Sequence, residues 1–127
     1  MSPPQLYLIG DIRMNLQKHL DTEIKIVAGY PHKTLAKQIT CTDGTKLSVQ
    51  ASRTHYCKPR EDTGPYSHVE VGFPSIAPPD TWSKYAEEWD KPTDTVYAGI
   101  PVELVEEFIS EHNKTGLMQK FWKLLGF

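Results

Sequence analysis

The chain has 127 residues, 39% of them hydrophobic, with ten prolines, two cysteines and a formal net charge of −2. That length fits one domain, 1–127, which buries roughly 65–70% of its unfolded surface and can hold a core without staples. No apolar run approaches the roughly 20 residues of a membrane span, and the two cysteines fit neither a CxxC nor a zinc spacing.

The small net charge hides an asymmetry. Residues 1–60 hold nine Lys/Arg and four Asp/Glu, residues 61–111 hold two Lys and twelve acids, and residues 112–127 hold three Lys and no acid. The blocks therefore carry +5, −10 and +3. A basic ligand face beside an acidic helical flank is one consequence, and complementary patches meeting between subunits are another.

In chain order, residues 1–10 are apolar after two prolines. A helical pattern starts at Asp11, a candidate cap, with Ile12, Leu16 and Leu20 recurring every four residues. Residues 23–28 alternate as a strand, with Ile24, Ile26 and Ala28 on one face, until Gly29-Tyr30-Pro31 breaks it. Residues 37–51 read as a hairpin around Asp43-Gly44. A three-residue loop, Thr42 to Gly44, pairs Ile39 with Leu47 and gathers Ile39, Cys41, Leu47 and Val49 on one face. A two-residue loop would mix polar and apolar positions, because a one-residue slip inverts every side chain.

Residues 52–65 form a polar loop. Residues 66–73 follow as a strand with Val69, Val71 and Phe73 inward and Tyr66, His68 and Glu70 on the other face. After PSIAPPD, residues 80–89 predict a short helix capped by Asp80, with Trp82, Tyr85, Ala86 and Trp89 as its apolar side. Residues 94–100 predict a strand with Val96, Ala98 and Ile100 on one face. Pro101 opens the clearest helix, 102–113, where Val102, Val105, Phe108, Ile109 and His112 follow the 3.6 period. A last helix is predicted over 117–125. The expected fold class is α+β: an antiparallel, β-roll-like sheet from 23–73 plus 94–100, followed by C-terminal helices.

The segment from Ser48 to Ser75 carries the chemistry. Arg53, His55, Lys58 and Arg60 flank Tyr56 in the loop, and Tyr66 and His68 follow on the strand. Guanidinium pairs bidentately with phosphate and aromatic faces stack on bases, so this composition suits a phosphate-bearing purine ligand. Trp82 is a further stacking candidate, and Asp94 a candidate for ribose hydroxyls or the base edge. Tyr30, His32 and Lys33 form a weaker second cluster. No Gly-rich phosphate loop, paired His-x-Ser/Thr motif or metal spacing accompanies them. A Cys57–His68 nucleophile pair rests on composition alone. The expectation is a binder and not an enzyme, with no cofactor and no metal. Cys41 and Cys57 are expected to be free thiols in a reducing cytoplasm, since no secretory leader pattern opens the chain.

The segments SVQAS, HYCKPRED, GPYSHVEVGFPS and PTDTVYAGIPVELVEEFISEHN resemble those of the phage-encoded Thoeris anti-defence sponge proteins of the first type, across residues 46–113. The resemblance implies a non-catalytic role in the host bacterial cytoplasm. Such a protein binds a cyclic ADP-ribose isomer, or a cyclic oligonucleotide, and so silences an anti-phage defence. It also implies dimers or larger homo-oligomers, a cyclic nucleotide signalling molecule as partner, and no direct contact with nucleic acid or membrane. The aromatic surplus around Trp82–Trp89 and Phe121–Phe127 points to a homo-oligomer as well. A reading from another class is an acidic phage inhibitor. There the −10 block imitates the DNA backbone and binds a nucleic-acid-binding defence protein such as a CRISPR effector. A third is an enzyme that degrades the nucleotide.

Overall fold

The computed structural model describes residues 15–113. The expected Asp11 cap and the helix over 117–125 lie outside the described residues. The helical pattern that reaches Leu20 is present as α1, Leu16–Leu20, capped by Asn15, whose side chain accepts the Lys18 N–H. The two residues at the predicted four-residue spacing, Leu16 and Leu20, are both buried.

The fold is α+β. Strands β3 (Ile39–Thr40), β4 (Lys46–Gln50), β5 (His68–Gly72) and β6 (Val96–Pro101) form one antiparallel sheet in that order. The helix α2, Val102–His112, follows. Strands β1 (Ile24–Val27) and β2 (Tyr30–Lys33) form a separate two-stranded sheet. Leu47, Val49, Val69, Val71, Tyr97 and Ile100 point inward from the large sheet. They meet Val102, Val105, Phe108 and Ile109 of α2 in one core that also takes in Leu16, Leu20 and Trp82.

The β3–β4 hairpin has the expected register. Ile39 faces Leu47, the Cys41 N–H donates to the Thr45 carbonyl at 2.7 Å, and Gly44 sits at φ +93°. Only that phase puts Ile39, Cys41, Leu47 and Val49 in the core, where all four are buried.

Elsewhere the structure corrects the periodic reading. In β6 the inward residues are Tyr97 and Ile100, not Val96, Ala98 and Ile100. Val69 faces Ile100 while Val71 faces Tyr97, so Ala98 and Gly99 together oppose Glu70. This bulge, with Gly99 at φ +61°, shifts the alternation by one. Phe73 is exposed rather than inward, because β5 ends at Gly72 and the chain turns with Phe73 at φ 48°.

The helix expected over 80–89 is a 3₁₀ helix, η1, over Asp80–Tyr85. Its N-cap is Pro79 and Asp80 makes no cap bond. Helix yields to sheet at Ala86, which bridges to Tyr97, while the Glu87 N–H donates to the Val96 carbonyl at 3.0 Å. Trp89 is consequently 73% exposed instead of packing on an apolar helix side. At Pro101 the difference is one position: it is the N-cap of α2, with Val102 the first helical residue.

The strand expected over 23–28 is the first half of a hairpin. Val27 pairs with Tyr30 across Ala28-Gly29, both at positive φ (52° and 84°). Ala28 is thus a turn residue and not a partner of Ile24 and Ile26, and His32 lies in strand β2. Among the described residues no helix is long and apolar enough to cross a membrane, and Cys41 and Cys57 are free thiols.

Candidate functional site

The β6 bulge prepares the site. It frees the Gly99 N–H from the sheet ladder to donate to the Tyr56 carbonyl at 2.9 Å. From β5, Glu70 Oε1 accepts the Tyr56 N–H at 3.2 Å, and the His68 carbonyl accepts the Lys58 N–H at 3.0 Å. The Lys58 carbonyl in turn accepts the Ser67 N–H at 2.8 Å. Buried Ser52 ties the start of the loop: its Oγ lies 2.6 Å from His55 Nδ1 and accepts the Thr54 N–H. Cys57 Sγ donates toward the carbonyls of Ser52 and Pro59, at 3.1 and 3.3 Å. A loop that composition marks only as polar is therefore pinned from Ser52 to Lys58.

The result is a recess of about 380 Å³ lined by Tyr56, Cys57, Lys58, Arg60, His68, Ala98 and Gly99. Ala98 brings only a methyl group and Gly99 no side chain, which leaves the space open. Tyr56 is 53% exposed, and the Arg60 guanidinium lies 4.8 Å from the centre of its ring. Such a cation–π contact holds both groups in readiness at little entropic cost on binding. His68 Nδ1 is 2.8 Å from the Ser67 hydroxyl. Burial pushes the Cys57 thiol above its ordinary value, against the Ser52 carbonyl contact and the Arg60 charge, so it is a thiol and not a nucleophilic thiolate at neutral pH.

Four of the predicted residues, Tyr56, Lys58, Arg60 and His68, thus share one recess. The others do not join it. Arg53 is a staple: its backbone N–H and its guanidinium both donate to Asp62, at 3.0 and 3.1 Å, and Nη2 donates to the Pro31 carbonyl at 2.6 Å. His55 is engaged by Ser52 within its own turn. Tyr66 is 4% exposed, not part of an open recognition face. It precedes β5, so the strand's alternation does not extend to it. The Gln17 carboxamide bonds both its N–H and its carbonyl at 2.8 Å, and its hydroxyl donates to the Glu61 carbonyl. Burial pushes its phenol up to about 12. A Cβ added at Gly64 would lie 2.9 Å from the Tyr66 ring, so glycine lets the loop close over it.

Trp82 is 1% exposed, packed edge-on against Tyr97 (5.3 Å, 81°) and tilted against Phe108 (5.1 Å). It is core and cannot stack on a base without unfolding η1. Asp94 is exposed in the turn before β6, its N–H bonded to the Lys91 carbonyl, and it does not line the recess. In the second cluster, Tyr30 is exposed and His32 pairs with Lys25 on the hairpin. Lys33 turns the other way: its ammonium donates to the carbonyls of Leu20 and Ala51 and lies over the Tyr66 ring. Burial lowers its pKa, partly offset by Asp62 and Asp21. The three do not converge.

Charge separates this recess from its neighbours. A hollow of about 390 Å³ beside α1 is lined by Asp21 and Asp62 as well as Lys18. One of about 460 Å³ between Ile76–Trp82 and α2 carries Glu107 and Glu111 and no Lys or Arg. Neither suits an anion. A further titratable cluster, Asp43, Thr45 and His112, has both Asp43 Oδ2 (2.6 Å) and Thr45 Oγ1 (3.2 Å) on His112 Nδ1. A nucleophile and its orienting acid need opposite ring nitrogens, so this cluster ties the β3–β4 turn to the end of α2. No group of three or more His, Cys, Asp or Glu placed to hold a metal occurs among the described residues.

Sequence reasoning missed Ala98 and Gly99. A glycine inside a strand pattern was the available signal, since it marks a bulge or a close backbone approach. No family model, curated protein or solved structure matches the chain.

Proposed function

We propose that the protein binds a phosphate-bearing adenine nucleotide in the Tyr56–Arg60 recess without turning it over, as a sponge for a cyclic ADP-ribose-type signal of a bacterial anti-phage defence. The observation that carries this reading is the cation–aromatic pair of Arg60 and Tyr56, with Lys58 and His68 in the same recess. On binding, the guanidinium exchanges the ring for a phosphate, and the base takes its place on Tyr56. Lys58 adds a second cation, and His68 offers a ring nitrogen to a hydroxyl or base edge. The sequence resemblance across residues 46–113 points the same way. At about 380 Å³ the recess is near the lower limit of ligand sites, which run from roughly 300 to 1,000 Å³. A compact cyclic nucleotide fits that size, and slow release calls for further cover from a second subunit.

Titration calorimetry with cyclic ADP-ribose isomers tests this. Arg60→Ala is expected to weaken binding by roughly 1–3 kcal/mol, the scale of a charge-assisted bond, and Tyr56→Ala by a similar stacking loss. Arg53→Ala, which removes the Asp62 staple, leaves affinity within a few-fold. Mass spectrometry of the released ligand should return it intact. Absence of binding by the wild type ends this reading, and a hydrolysed ligand replaces it with the enzymatic one.

The acidic-inhibitor reading draws on a different surface. Glu103, Glu107 and Glu111 are exposed along one side of α2. Their four-residue spacing spans about 6 Å of helix rise, close to two phosphate steps of about 3.4 Å. It predicts binding to a basic nucleic-acid-binding protein with a steep salt dependence and no nucleotide affinity.

A further inference from the structure

The β1–β2 hairpin is an anomaly of burial. All of Ile24–Val27 and three of the four residues Tyr30–Lys33 are exposed. Ile24 and Ile26 lie on the face of Lys33, while Val27 and Tyr30 lie with Lys25 on the other, and Ile26 and Tyr30 are each 69% open. A two-stranded hairpin is marginal in water unless something covers it. Residues 24–37 carry three lysines and no acid, a charge of +3. Lys33 turns inward, so Lys25 and Lys37 carry the exposed charge.

The opposite surface is on the loop from Ala86 to Thr95. It carries Glu87, Glu88, Asp90 and Asp94 against Lys91 alone, a charge of −3. The loop is fixed. The Glu88 N–H donates to Thr95 Oγ1 at 2.9 Å, the Lys91 and Asp94 N–H groups bond within the loop, and the Tyr97 hydroxyl donates to the Pro92 carbonyl at 2.6 Å. On it stands Trp89. A rigid, exposed tryptophan ringed by charge has the make-up of an interface hot spot.

We propose that the Trp89 loop of one copy seats on the β1–β2 hairpin of a second copy. Every chain carries both surfaces, so the contact is made twice in a two-fold dimer. Val27 and Tyr30, on the face of Lys25, receive the indole, and Lys25 and Lys37 meet the loop carboxylates. The second copy is the occupant because the two patches on this chain are opposite in charge, Lys25 and Lys37 on one and a net −3 on the other, each with an apolar centre. The proposal stands apart from the ligand reading.

Sedimentation velocity at micromolar concentration tests it. The wild type is expected at twice 14.5 kDa, with an affinity that falls as salt rises. Trp89→Ala weakens the dimer by roughly thirtyfold, the hot-spot scale. Lys25→Glu and Asp90→Lys each give monomers alone, yet a one-to-one mixture of the two associates again, because each loop then faces a hairpin of opposite charge. That rescue also shows that both variants fold. A wild-type monomer overturns the proposal, as does a dimer indifferent to all three substitutions or a mixture that stays monomeric.

Discussion

Hairpins β1–β2 and β3–β4 both turn on a left-handed glycine, Gly29 at φ +84° and Gly44 at φ +93°, and both carry apolar residues. In β3–β4, Ile39, Cys41, Leu47 and Val49 are buried, with Leu47 and Val49 at zero exposure. In β1–β2, Ile24, Ile26 and Val27 are open to solvent. The difference lies in what each hairpin meets. Strand β4 is paired on its other side by β5, and its apolar residues share one core with α2. Among the described residues the first hairpin has no third strand; it is held to the body by Arg53 and Lys33. Alternation dictates which residues share a face, and docking dictates whether that face is dry.

The largest test of this contrast deletes the same kind of side chain from each hairpin. Leu47→Ala should cost about 2–5 kcal/mol of unfolding free energy, the range for a buried leucine that leaves a cavity. Ile26→Ala should stay within about 0.5 kcal/mol in a monomeric sample. Urea titration of both variants measures the gap, and equal losses would mean that the first hairpin is buried in solution.

Next in size is the turn pair. A Cβ at Gly44 or at Gly29 meets nothing within 4 Å, so the penalty of alanine there is backbone strain alone, about 1–2 kcal/mol. Gly44→Ala should lower global stability by that amount. Gly29→Ala should loosen only its own hairpin, seen as faster amide exchange in Ile24–Lys33 with an unchanged denaturation midpoint.

A smaller effect comes from Asp43. Desolvation pushes its carboxyl up, but the hydrogen bonds from Thr45 and His112 outweigh this and hold it below the ordinary range. The stability it contributes is therefore complete above the unfolded value of about 3.9 and is lost as pH falls through the lower folded value. Asp43→Asn should flatten the stability profile below about pH 4. A profile identical to wild type would remove Asp43 from the hairpin–helix tie.

The last difference is kinetic. Burial, with a contribution from Asp43, raises the Cys41 thiol to about 11. In a Cys57→Ser variant at neutral pH, a thiol reagent should modify Cys41 only at the rate of opening, faster in Leu47→Ala than in wild type. Prompt labelling of Cys41 would show that the β3–β4 face is not sealed.

Much of the candidate site was legible where the chemistry is local. Tyr56, Lys58 and Arg60 lie within five residues, and any compact loop keeps such neighbours together. His68 joins them because strand β5 brings its carbonyl to the Lys58 N–H. Arg53 carries the same charge as Arg60 and is just as near in sequence. It is removed from the site by an acid nine residues on and a carbonyl in another hairpin. Tyr66 and Trp82 looked like stacking rings by composition. They became core because large rings gain most from burial when a partner surface is within reach.

What the sequence determined by itself was periodic and local. It set the α+β class, the β3–β4 register with its three-residue loop, the buried stripe of α2 and the cluster of cations around Tyr56. Each follows from repeat length, turn chemistry or adjacency, which act over a few residues. The tertiary structure alone decided the bulge that turns Tyr97 inward and opens the recess at Gly99, and the strand bridge that ends η1 and strands Trp89 in solvent. It also decided the pairings that make Arg53 and Lys33 staples. These depend on partners far along the chain, so no local pattern encodes them.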